Sequence, residues 1–308
     1  MPDGSVTAGD ARRAVDEALP DQRVVSVRAI TGGTNTLYRV ETGGGEYVVK
    51  YNTFVGREIT AAEVQVYRLL ADSDVPVPRV VDAVLGPLSG PAYFVMTAVP
   101  GDPPAEVSPA LARKLGRVLR GFSAVGVDVD GYGRLQHAPG ATPPLVGSAD
   151  TWREYVDWYA GMLLSKPADR VSDLADPVRG VVDRTLDAVP RRPDSTVVPD
   201  DYRPANIHVV DGEVVGVLDL ERAARGDLRL ALVKGAYLLT RERSDAEAAR
   251  LHDALFAGFD GDVAAPLERC YRALAVASEI RGFDVWWDDP ERAERAAELR
   301  ASVDELTD

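Results

Sequence analysis

Residues 196 to 221, TVVPDDYRPANIHVVDGEVVGVLDLE, constrain this chain more than any other stretch. Two short β-branched runs, Val209–Val210 and Val214–Val217, flank an Asp-Gly pair at Asp211–Gly212. That pair between apolar runs predicts a tight hairpin, because both central residues of the favoured turn need a positive φ. Upstream, Pro204 within D-Y-R-P-A-N disfavours a helix and predicts an extended or turning segment. Three polar residues therefore stand at the ends of an apolar frame: Asp201, Asn206 and Asp219.

An acid, an amide and a second acid are what phosphoryl transfer requires. One orients a hydroxyl, and the other two hold magnesium against nucleotide phosphates. Residues 23 to 50, RVVSVRAITGGTNTLYRVETGGGEYVVK, alternate β runs with glycine turns and predict a three-stranded antiparallel meander. Its first turn, Gly32, Gly33, Thr34 and Asn35, offers backbone N–H groups to phosphates. An ordinary hairpin explains two adjacent glycines equally well. Lys50 closes the third strand in V-V-K, where a lysine is commonly just solvated. It is one of only four lysines (Lys50, Lys114, Lys166, Lys234), and that rarity favours a phosphate-binding role.

A helix over 59–71 places Val64, Tyr67 and Leu70 on one stripe and offers Glu58 or Glu63 as a partner for Lys50. Ala92 to Met96 predicts a short buried strand. Ser108–Pro109 opens a helix that aligns Leu111, Leu115, Val118, Leu119 and Phe122. Residues 131 to 147 are expected to be irregular. TWREYVDWYAGMLL (151–164) predicts a helix whose stripe, Trp152, Tyr155, Val156 and Tyr159, is core; whether its outward acids Glu154 and Asp157 face a substrate is left open by the sequence. Further helices are expected over 246–259, 265–281 and 290–306. Trp286 and Trp287 either pack the last helix or line a pocket for a cationic or sugar substrate.

At 308 residues the chain is long for one core and comfortable for two. Its net charge of −14 argues against a nucleic-acid partner, whose phosphates demand a basic face. The charge suits a cationic small molecule, although its plainer reading is a solvated acidic surface. The single cysteine, Cys270, excludes an internal disulfide and a cysteine metal cluster. His137, His208 and His252 have no metal-ligand spacing. The first twenty residues lack an apolar leader core and read as a capped helix starting near Thr7. No run approaches the ~18–20 apolar residues of a membrane span, so no membrane partner and a cytoplasmic location are expected.

D-Y-R-P-A-N at 201–206, with L-D-L centred thirteen residues after Asn206, resembles the catalytic core of the aminoglycoside phosphotransferase family. That core usually reads H-G-D-x-x-x-x-N and then I-D-W. The resemblance implies an α+β, bilobal protein-kinase-like fold. Residues 1–99 would form a small antiparallel-sheet N-lobe, and residues 100–308 a largely helical C-lobe with the catalytic loop and metal-binding hairpin. It implies transfer of the γ-phosphate of ATP or GTP to a hydroxyl of a small molecule, by a monomer or homodimer. Carried over residue by residue, Asp201 is the base, and Asn206 and Asp219 are magnesium ligands. Lys50 grips the α/β phosphates. Counting back from V-P-V-P at Val75–Pro78 selects Glu63 as its partner. The backbone from Thr97 to Val99 meets the adenine edge. Arg203 offsets charge on the transferring group, a surface arginine being the alternative. Asp227, after Gly226, braces the catalytic loop in such enzymes. Two departures stand out: Pro199–Asp200 replaces His-Gly, and Ala231 stands where an acid is expected. They support an alternative reading, a non-catalytic nucleotide-binding regulator. Retention of Lys50, Asp201, Asn206 and Asp219 speaks against it. A protein kinase is disfavoured by the missing D-F-G and A-P-E motifs.

Overall fold

The structure, a computed structural model, describes residues 6–31, 35–53, 56–85, 91–288 and 290–308. It divides into two compact units. The first is Met1–Ala105 with Leu135–Val146 and Pro204–Ala223; the second is Glu106–Arg134 with Gly147–Arg203 and Ala224–Asp308.

In the first unit, Thr7 opens α1 (Ala8–Ala18) with a reciprocal capping box to Asp10. Ala11, Ala14 and Val15 lie on the helix's buried side and pack against Tyr38, Val40, Val49 and Val95. These come from an antiparallel sheet of β1 (Val24–Ile30), β2 (Thr36–Thr42), β3 (Gly45–Tyr51), β4 (Val80–Val84) and β5 (Tyr93–Thr97), in the order β1-β2-β3-β5-β4. The meander read from 23–50 is its first three strands. α2 (Arg57–Leu70) buries Val64, Val66, Tyr67 and Leu70, and the Tyr67 ring lies 6.1 Å from that of Phe94 in β5.

The expected hairpin joins β9 (Ile207–Val210) to β10 (Glu213–Val217). Asp211 and Gly212 turn it with φ of 50° and 73°. The hairpin is fastened within its own unit. Val217 N–H donates to the Pro76 carbonyl at 2.7 Å. Gly101 (φ +73°) approaches the Val209 carbonyl so closely that any Cβ there would overlap it.

The second unit is mainly helical: α3 (Pro109–Gly121), α4 (Trp152–Leu164), α5 (Ala175–Thr185), α6 (Arg229–Thr240), α7 (Asp245–Phe259), α8 (Ala265–Trp286) and α9 (Arg292–Thr307). Ser108 caps α3 and Thr151 caps α4. α3 and α7 meet backbone to backbone: a Cβ on Gly116 would strike the Leu255 carbonyl, and one on Gly258 the Arg113 carbonyl. Trp152, Tyr155 and Tyr159 are fully buried, as the stripe predicts.

Two expectations are corrected. Residues 131 to 147 are not irregular: β6 (Tyr132–His137) and β7 (Leu145–Ala149) join β8 (Thr196–Val198) and β11 (Ala224–Gly226) in the order β7-β6-β11-β8. Y-G-R-L-Q-H carries no β-branched residue, so pairing makes it a strand: β11 sets Ala224 opposite both Arg134 and Val198. α8 runs past residue 281 to Trp286, and Trp287 already has partners. The guanidinium carbons of Arg241 and Arg295 sit 5.1 and 4.5 Å from its ring centroid, so the chain's own cations cover it. Among the described residues, no helix is long and apolar enough to cross a membrane.

Candidate active site

Side chains alternate across a strand, so with Val49 facing α1, Lys50 faces the opposite side of β3, where α2 brings Glu63. Both are buried. Lys50 Nζ donates to Glu63 Oε1 at 2.8 Å and to Asp219 Oδ1 at 3.0 Å, with Glu221 Oε2 at 3.5 Å. Glu58, in the first turn of α2, is exposed. Burial pulls the Lys50 ammonium down, but Glu63, Asp219 and Glu221 more than offset this and hold it above its ordinary value. Burial pushes the Glu63 carboxyl up, to about 7, against the pull of Lys50. Asn35 Nδ2 donates to Glu221 Oε2 at 3.1 Å and extends the cluster.

Asp219 leaves the hairpin with φ of +59°, and its N–H donates to Tyr67 Oη at 3.0 Å. The Asn206 carbonyl accepts Leu218 N–H at 2.8 Å, which puts Asn206 and Asp219 at the same end of the hairpin. An amide and a carboxylate are hard oxygen donors of the kind that hold magnesium together with phosphate oxygens and water. Three carboxylates around one ammonium also leave negative charge that a divalent cation would offset. Among the described residues, the buried Glu63 Oε2 and Asn35 Oδ1 have no hydrogen-bond partner. The residues present therefore fit magnesium. Among the described residues, no group of three His, Cys, Asp or Glu side chains is arranged to hold a metal by itself.

In the second unit, the loop after β8 alternates buried and half-exposed residues. Asp200 is 2% exposed, and its Oδ2 accepts from Tyr159 Oη at 2.8 Å and from Lys234 Nζ at 3.0 Å. Tyr202 is buried and donates through Oη to the Leu115 carbonyl at 2.8 Å. Asp201, between them, is half-buried, with Arg203 Nε 3.1 Å from its Oδ1. Burial would push the Asp200 carboxyl up, yet Lys234 and Tyr159 hold it below its ordinary value. Asp227 takes hydrogen bonds from Arg229 and from Tyr271 Oη, binding the start of α6 to α8.

The remaining sequence candidates fall as follows. Gly32, Gly33 and Thr34 lie outside the described residues. Thr97 N–H donates to the Arg79 carbonyl at 2.9 Å, and the Val99 carbonyl accepts from Arg39 Nη2 at 3.1 Å. Glu154 closes the Thr151 capping box, and Asp157 pairs with Arg179. Sequence reasoning missed Tyr67, Asp200, Lys234 and Glu221. Lys234 carried a legible signal, since a lysine inside the apolar run LALVKGAYLL needs a buried partner.

Residues 26–267 match the model of the phosphotransferase enzyme family. The chain belongs to this family. The phosphotransferase also shares its kinase-like fold with solved aminoglycoside phosphotransferases. Against APH(4)-Ia the TM-score is 0.75 at 17% identity over 98% of each chain. A putative aminoglycoside phosphotransferase from Ralstonia eutropha JMP134 gives 0.63 at 16% identity, covering 96% of this chain and 95% of that one. The ternary complex of APH(2")-IIa with streptomycin and ATP gives 0.63 at 14% identity, covering 98% and 99%. APH(4)-Ia has also been solved with AMP-PNP and hygromycin B. No curated protein matches the phosphotransferase.

Proposed function

We propose that this phosphotransferase moves the γ-phosphate of ATP, or of GTP, to a hydroxyl of a small molecule. The observation that carries the reading is Lys50, buried and held by Glu63, with Asp219 on its other side. Lys50 binds the α/β phosphates, and Glu63 fixes its direction. Asn35 stands beside Glu221 at the phosphate end of the site, and the Thr97–Val99 backbone meets the base. Asn206 and Asp219 hold magnesium, which when bound neutralises phosphate charge. Asp201 accepts a hydrogen bond from the acceptor hydroxyl and takes its proton as the new O–P bond forms. The bond from the γ-phosphorus to the β,γ-bridging oxygen breaks, and the nucleoside diphosphate leaves. Arg203, beside Asp201, offsets charge on the group in transit. Positioning and electrostatics account for most of the rate in such a design.

The solved complexes of relatives with nucleotides and aminoglycosides support a nucleotide donor and a cationic amino sugar acceptor. The net charge of −14 supports a cationic acceptor as well. Purified protein is incubated with magnesium and ATP or GTP and pools of hydroxyl compounds, including aminoglycosides, while release of ADP or GDP is followed. Turnover with one pool is expected. Asp201→Asn is expected to lose about 10²–10⁴-fold in rate with nucleotide affinity unchanged. A variant that keeps most of its activity removes Asp201 as the base. Pro199–Asp200 and Ala231 favour a second reading, a nucleotide-binding regulator, which would bind the magnesium nucleotide and turn over no pool.

A further inference from the structure

Only four of the 35 lysine and arginine residues in this chain are lysines. Two of the four are buried, each against a carboxylate: Lys50 on Glu63 and Lys234 on Asp200. The first belongs to the site already described. The second lies beside Asp201 and is not used by the proposed chemistry. A buried ion pair is hard to justify as a source of stability, because the desolvation of both charges offsets much of their attraction. It therefore calls for another explanation.

Three contacts define what the pair does. Lys234 Nζ and Tyr159 Oη both donate to Asp200 Oδ2, at 3.0 and 2.8 Å, and Lys234 also reaches Tyr159 Oη at 3.4 Å. At the next residue of α6, Gly235 packs against the same loop, where a Cβ would meet the Tyr202 carbonyl at 2.9 Å. Tyr202 is in turn tied to Leu115. Residues 200 and 202 are thus both anchored inward, to α4, α6 and α3. Asp201, half-buried, is left between two fixed points. The loop also lacks the His-Gly that the sequence comparison leads one to expect, and the acid expected at Ala231 is missing. A different pairing is present, with the acid on the loop at Asp200 and the cation on the helix at Lys234.

We infer that Asp200, Lys234 and Tyr159 form a brace that positions Asp201. They are positioning residues that touch neither nucleotide nor acceptor. The inference rests on the phosphotransferase reading of Asp201. Lysine suits this place because a compact ammonium can be shared between two oxygens inside an apolar helix face, whereas the broad guanidinium fork needs more room.

The test compares Lys234→Met, Asp200→Asn and the double variant with wild type, by nucleotide turnover on the acceptor pool that responds and by thermal melting. Each single variant is expected to lower kcat by about 10²-fold, the cost of misplacing a reacting group by about 1 Å, with the nucleotide KM within about 2-fold. The double variant leaves no lone buried charge and is expected to regain much of the melting temperature but not kcat. If kcat returns together with the melting temperature, the pair serves packing only and the inference falls. If kcat never falls, it also falls. Wild type that turns over no acceptor defeats the proposed function instead. The brace is then judged by hydrogen exchange at residues 199–203 in Lys234→Met: faster exchange confined to that loop supports the anchor, and unchanged exchange overturns it.

Discussion

Asp219 holds a backbone conformation, φ +59°, that costs an L-residue roughly 1–2 kcal/mol unless it is glycine, asparagine or aspartate. That tolerated conformation turns the carboxylate back toward Lys50 as the chain leaves β10. Asp219→Asn keeps the tolerated backbone and removes the charge. It is expected to melt within a few degrees of wild type while phosphoryl transfer is lost; a melting temperature that collapses would show the charge serves the fold. Asp200 yields a pH prediction. Its carboxyl is held below its ordinary value of 3.8, so in the folded state it stays ionised to lower pH than in the unfolded chain. Its contribution is therefore full above about pH 4 and is lost as pH falls through the depressed folded value. Urea unfolding of wild type and Asp200→Asn between pH 7 and pH 2.5 should show a stability gap that is constant at first and narrows below pH 4. A gap that is unchanged down to pH 2.5 would mean that Asp200 is not ionised. Lys50, Asp201, Asn206 and Asp219 were legible as residues because each is chemically conspicuous in its segment. Asp200 was not, because its partners Tyr159 and Lys234 lie 41 and 34 positions away and only the fold brings them together.

Among the elements, those with a local signal were readable and those made by pairing were not. Asp211–Gly212 announces the β9–β10 hairpin, Thr7 and Ser108 announce their helices, and β1 to β3 carry their own β-branched runs. β6 has none of these and exists because β11 lies beside it. The α3–α7 contact is equally silent in sequence, since a glycine in a helix signals only weakness until its neighbour is known. It gives a paired prediction. Gly258→Ala pushes a methyl group into the Arg113 carbonyl and should cost about 1–3 kcal/mol as α7 is forced off α3. Gly161→Ala, exposed on α4 with its nearest neighbour an Arg179 nitrogen 3.9 Å away, should instead gain about 0.4–1 kcal/mol through reduced unfolded-state entropy. Urea unfolding of the two variants should displace the midpoint in opposite directions. A shift of the same sign in both would refute the close approach of the helices.

At the scale of the whole molecule, the chain advertises its chemistry more clearly than its acceptor. Groups suited to phosphate and magnesium are few and of types dictated by charge, so candidates for them announce themselves in a sequence. The acceptor is chosen by the shape of surfaces built from many ordinary side chains, and a single sequence does not spell out that shape. Net charge is the one global property that bears on it. With a charge of −14, the molecule's field reaches roughly 30 Å at 0.01 M ionic strength and only about 10 Å at 0.1 M. A cationic acceptor drawn in by that field should have a KM that rises about 10-fold as salt is raised across this range, because fields of this kind change encounter rates by 10-fold or more. With magnesium nucleotide kept saturating, kcat should stay level, since the field acts on arrival and not on the transfer itself. A neutral alcohol of similar size should show no such rise. Steady-state kinetics of a cationic and a neutral acceptor, each over the salt range, decide the matter. If the two respond alike, the acidic surface serves solubility, and the acceptor is selected by shape and hydrogen bonds alone.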